Sequence, residues 1–203
     1  MRTATYASAA TSFAALVHDI PVGAWDKPGL GNWDVRALVG HTSRSLTTVS
    51  TYLRTKAERV DIATPEEYYL RVTPSALGID PADVAERGRQ AGIALGEDPA
   101  AAVDQLVAGV LGDLAAVDDD PVIEVIGGLG IRLHTYLPTR IFELAVHGMD
   151  IARALDLAFE PPAAVLAEAL DLATRTAMLT GQGQSVLLAL TGRCALPPNF
   201  SVV

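Results

Sequence analysis

PTRIFELAVHGMDIARALDL, residues 138–157, is the stretch on which the reading of this chain turns. At about 100° per residue, a helix over it gathers Arg140, Glu143, His147 and Asp150 into an arc of roughly 80°. Ile141, Phe142, Leu144, Val146, Met149, Ile151 and Leu155 surround the rest of the helix. Glu-His pairs four residues apart are common on exposed helix faces, but a solvated face should be wider than this one. With Phe142, Val146 and Met149 crowding its flank, the stripe is expected to point into a polar pocket inside a helical bundle.

Working outward, Pro138 is expected in the first turn of this helix. Before it, PVIEVIGGLGIRLHTYL alternates apolar residues around GGLG and reads as a hairpin. Asp80-Pro81 and Asp98-Pro99 each place an N-cap before a first-turn proline, which predicts two helices ending near Val117, or one long helix broken at Gly96-Glu97-Asp98. A mixed segment with Pro65 and Pro74 precedes them. Further back, Asn32 reads as the N-cap of a helix over 33–59, striped by Val35, Leu38, Thr42, Leu46, Val49 and Leu53, and 4–19 reads as an amphipathic first helix. On the other side, PPAAVLAEALDLATRTAMLTG predicts a helix with Gly181 beyond its end, SVLLAL a strand, and CALPPNFSVV a proline-interrupted tail. The fold class is therefore mainly α: a bundle over 1–160, with a short hairpin, and a small C-terminal α/β appendage over 161–203 packed on it.

Composition narrows the function. The net charge of −9 and pI near 4.8 argue against a nucleic-acid partner, because phosphate backbones are held by Lys/Arg surfaces. No apolar run approaches the roughly 18 residues of a membrane span. Ser and Thr interrupt the Ala-rich N-terminal stretch and His18-Asp19 follow it, which favours a helix over a signal peptide. Cys194 is the single cysteine, so no intrachain disulfide or thiolate metal cluster forms and a reducing cytoplasm fits. It reads as a small buried hydrophobe and not as a nucleophile, since no histidine lies near it in sequence.

His41, in NWDVRALVGHTSRS, joins Glu143 and His147 as the candidate chemistry. Two neutral imidazoles and a carboxylate suit a zinc-like divalent ion, and three protein ligands leave one coordination position open. His41 alone is a weak signal, since it sits at the edge of an apolar stripe where an interfacial histidine would also sit. His18 reads as a cation at a helix C-terminus, and His134 as a candidate pocket residue on the hairpin. Arg140 is placed either to hold a substrate or cofactor carboxylate or to pair with Asp150 or Glu143. Asp150 is placed to orient His147 or to cap a neighbouring element.

Trp25, then Trp33-Asp34-Val35-Arg36 and His41, followed about a hundred residues later by Tyr136-Leu137, Arg140, Glu143, His147 and Asp150-Ile151-Ala152, resembles the DinB-like metalloenzyme superfamily. Within it the chain most resembles the mycothiol-dependent maleylpyruvate isomerase group, and LLALTGRCALP is similar to a TGR segment these proteins often carry. The resemblance implies an up-down-down-up four-helix bundle with His41, Glu143 and His147 as metal ligands. It implies a divalent ion, usually zinc, that activates the thiol of mycothiol or a similar low-molecular-weight cofactor toward a small-molecule electrophile. Longer members carry a larger C-terminal domain than the short segment after Gly181 here, so an isomerase and a mycothiol S-transferase are both implied. The alternative is a non-catalytic metal-binding bundle acting as a regulatory or interaction module. A monomer or a homodimer fits either reading.

Overall fold

The computed structural model describes residues 2–74 and 76–203. Its elements run α1 (Arg2–His18), α2 (Val35–Tyr52), α3 (Pro65–Arg71), α4 (Pro81–Ala94), α5 (Pro99–Ala115), β1 (Val122–Val125), β2 (Leu129–Arg132), α6 (Leu133–Leu155), α7 (Ala163–Leu179) and α8 (Gly183–Leu190). The bundle is formed by α1, α2, α5 and α6: α1 and α2 each pack against both α5 and α6. Its centre is Tyr6, Phe13 and Leu16 from α1, Leu38 and Leu46 from α2, and Tyr136, Leu137, Ile141 and Leu144 from α6, all almost fully buried. Burial of each such side chain contributes about 1.5–3 kcal/mol, so four amphipathic helices suffice to close this core. None of the described helices is long and apolar enough to cross a membrane.

The mainly helical class and the hairpin stand as expected, while several boundaries differ for local reasons. Asp34, not Asn32, caps α2, its Oδ1 accepting the Ala37 N–H at 2.7 Å. Gly31 has φ +57°, which turns the chain so that Trp33 bonds back to Leu30 and stays outside the helix. The helix stops at Tyr52 because the following segment is used elsewhere: Lys56 bridges to Ile123 on one edge of the hairpin and Ile62 to Ile131 on the other. Both edges of the two-stranded sheet are thereby covered. The mixed segment contains α3, capped by Thr64, with the Glu67 carboxylate reaching back to the Ala63 N–H.

Helix α6 begins five residues before Pro138, so the proline lies inside it. A proline has no N–H to offer the carbonyl four residues earlier. That carbonyl, on His134, instead accepts from Arg2 Nη1 at 2.8 Å.

The appendage is helical and contains no strand among the described residues. SVLLAL belongs to α8, which packs on α7, and the residues after it are irregular. With no neighbouring strand to pair with, a short apolar run satisfies its backbone internally as a helix. Cys194 sits in this irregular segment and is exposed, contrary to the expected burial.

Helix α4 lies on the outside of α2 at very close range. A Cβ on Gly40 would run into the Gly92 backbone, and one on Gly92 would lie 2.6 Å from the Arg36 carbonyl. Neither partner is a side chain that can swing away. Gly40→Ala should therefore destabilise by about 3 kcal/mol through overpacking, lowering Tm by roughly 6–12 °C. Gly109, inside α5, has open space around its Cβ position. Gly109→Ala should instead raise Tm by about 2–4 °C, from the ~1 kcal/mol gap in helix propensity. Thermal melts followed by circular dichroism check both signs.

Candidate metal centre

Packing of α2 against α6 brings the residues separated in sequence together. His41 lies in the second turn of α2, held by the Trp33 ring at 4.4 Å between centroids. Trp33 is itself fixed by its indole N–H, which donates to the Ala85 carbonyl of α4 at 2.9 Å. The His41 and His147 rings meet edge to face at 5.0 Å. One ligand atom each from His41, Glu143 and His147 lies within 4.8 Å of the others.

Each of the two α6 donors has a second partner. His147 Nε2 is 3.2 Å from Glu143 Oε2, and its Nδ1 is 3.2 Å from Asp150 Oδ2. Of the two roles expected for Asp150, contact with His147 is the one the geometry contains. The other Glu143 oxygen, Oε1, accepts from the Tyr69 hydroxyl at 2.9 Å, and the Thr139 carbonyl lies 3.1 Å from the same hydroxyl. His41 differs, because its Nδ1 is buried and has no hydrogen-bond partner.

The charges follow from these contacts. Burial, reinforced by the neighbouring His147 and outweighing the pull of Glu143, lowers the His41 ring to about 4, so it is neutral near pH 7. Burial alone would raise Glu143, but its hydrogen bond with His147 and the charge of Arg140 outweigh that and bring it down to about 2. Burial also opposes a charge on His147, yet Asp150 and Glu143 raise it to about 9. Neutral His41, with its orphaned buried ring nitrogen, and ionised Glu143 are ready donors, and His147 joins them by releasing the proton that Asp150 and Glu143 hold on it; the three then fit a divalent cation of the zinc type.

Arg140 is buried and makes no ion pair among the described residues, so neither Asp150 nor Glu143 is its direct partner. Its guanidinium lies over the Tyr68 ring at 5.2 Å and the Tyr136 ring at 4.9 Å, and its Nε donates to Thr139 Oγ1 at 3.0 Å. His18 pairs with Asp104 at 2.8 Å on the surface. His134 is exposed in the first turn of α6, where its N–H donates to Asp120, and it is not a pocket residue.

His41, Arg140 and Glu143 open onto a cavity of about 460 Å³. Tyr68 and Tyr69 of α3, Arg44 of α2 and Arg87 of α4 also line it, and the sequence reading missed all four. For Arg44 a signal existed, three residues beyond His41 and so on the same helix face. For the tyrosines it was the capping pattern Thr64-Pro65-Glu66-Glu67. Val202 and Val203 line the cavity too, so the appendage contributes to its wall.

Arg140→Lys should lower Tm by about 2–8 °C, since a lysine loses both planar stacking and the Nε bond, worth ~1–2 kcal/mol together. Arg175→Lys, in an exposed pair with Asp171, should change it by less than about 1 °C.

No curated protein and no solved structure matches the chain. A protein-family model, the mycothiol maleylpyruvate isomerase N-terminal domain, matches residues 6–152. That span runs from the first turns of α1 almost to the end of α6 and includes His41, Glu143, His147 and Asp150. The chain belongs to the mycothiol maleylpyruvate isomerase N-terminal domain family.

Proposed function

We propose that the chain is a metal- and thiol-dependent enzyme of the isomerase or S-transferase type, with His41, Glu143 and His147 holding a zinc-like divalent ion. The observation that carries this reading is the convergence of those three donors within 4.8 Å, inside the family-matched span. When bound, the ion supplies an open cationic position that stabilises a thiolate near neutral pH, and mycothiol or a similar thiol supplies the nucleophile for an electrophilic small molecule.

The protein's own residues prepare that position. Asp150 beside His147 Nδ1 fixes the ring so that Nε2 faces Glu143. Tyr69 occupies Glu143 Oε1, which leaves Oε2 toward the imidazoles. Trp33 holds the His41 ring in place, and burial keeps that ring neutral and able to donate a lone pair. Tyr68 and Tyr136 lie against the Arg140 guanidinium and hold it at the wall of the cavity beside the site. The thiol cofactor and the low cysteine content support a cytoplasmic setting.

Protein purified without a histidine tag should contain close to one divalent ion per chain. Alanine at His41, Glu143 or His147 should cut occupancy at least tenfold while the far-ultraviolet circular dichroism stays within a few per cent, because the bundle core is apolar elsewhere. Full occupancy in His147→Ala would overturn the assignment. A cobalt-substituted sample should gain a sulfur-to-metal charge-transfer band when mycothiol is added. Cys194→Ser should keep that band and keep activity within a few-fold, since the exposed thiol takes no part.

A further inference from the structure

The cavity beside the candidate centre differs from the chain as a whole in charge. The chain carries 24 Asp and Glu against 15 Lys and Arg, yet Arg44, Arg87 and Arg140 all line this cavity and Glu143 is the one carboxylate side chain among its described lining residues. Arg44 and Arg87 are half-buried and make no ion pair among the described residues. Half-buried cations without a counter-ion are costly, and an anionic ligand removes that cost.

The same cavity also carries apolar lining. Val72, Leu77 and Ile79 from the α3–α4 connection, Val84 of α4 and Ile126 of the hairpin turn contribute aliphatic side chains, each half-buried. Aliphatic surface left facing a cavity gains free energy when an apolar group covers it. A volume near 460 Å³ is in the range that holds a drug-sized molecule.

We propose that the electrophile is an amphipathic monocarboxylate, with its acid group among Arg44, Arg87 and Arg140 and an aliphatic or aryl body against Val72, Leu77, Ile79, Val84 and Ile126. This rests on the reading that the cavity serves the proposed reaction. A short dianion leaves the five aliphatic residues uncovered and so lacks the gain that an apolar body makes there.

Isothermal titration of the full chain with butanoate, hexanoate, octanoate, 1-octanol and maleate tests it, in zinc-free and zinc-saturated protein. Affinity should rise about three- to fourfold per methylene from butanoate to octanoate. Octanoate should bind at least tenfold more tightly than 1-octanol or maleate. Val84→Asn and Ile79→Asn, each confirmed folded by its melt, should flatten the length dependence, weakening octanoate at least tenfold more than butanoate. Arg87→Gln should bring octanoate down toward 1-octanol while keeping the length dependence. Maleate matching octanoate, octanoate matching 1-octanol, or a length dependence that survives in both asparagine variants would each overturn the proposal. If zinc binds stoichiometrically and the length dependence is absent, this inference alone fails. If zinc does not bind and the length dependence is present, the metal assignment alone fails.

Discussion

A half-buried carboxylate between packed helices needs donors and positive charge around it, and Glu143 imposes that demand on two helices at once. Tyr69 from α3 and His147 from its own helix meet its two oxygens, and Arg140 one turn earlier adds a field that keeps it ionised. His41 arrives from α2 and faces this arrangement without a hydrogen bond at Nδ1. The short helix α3 packs on α6, which is the geometry that delivers Tyr69. Remove the carboxylate and Tyr69 and His147 each lose a partner.

The placement of α2 is equally constrained from its outer side. Gly40, beside His41, touches the α4 backbone at Gly92, and a Cβ on Gly88 would lie 2.7 Å from the Trp33 indole. Three glycines thus let α4 press close enough for Trp33 to pack on His41. A ring whose position is set by backbone contacts and an indole has little freedom to turn away from His147. The metal-centre geometry is in this sense a product of helix packing outside the bundle as much as within it.

What sequence reading could reach depended on the physical signal each residue carries. Glu143, His147 and Asp150 were legible because one helix period fixes their shared face; all three are half-buried, and of the polar arc Arg140 and Glu143 line the cavity. His41 has no local signal of its own, and only the spaced resemblance connected it to α6. Helix α3 spans seven residues, too few for periodicity to speak, so Tyr68 and Tyr69 stayed hidden although Thr64 and Glu67 carried a capping pattern. SVLLAL was misjudged because a short apolar run fits a strand or a helix equally, and only its packing on α7 decides. Asn32 and Asp34 are both good caps, and the turn at Gly31 selects the second.

Arg140 is held in place by the fold itself. A free arginine side chain loses about 2 kcal/mol of rotamer freedom when it is immobilised. Here the immobilisation is complete before any ligand arrives, because Thr139 holds Nε and the Tyr68 and Tyr136 rings lie against the guanidinium. The entropy is lost once, during folding, and is balanced by the stability of the core. An anion reaching that guanidinium meets a preorganised group, so association there carries a smaller ordering penalty than at a mobile surface arginine.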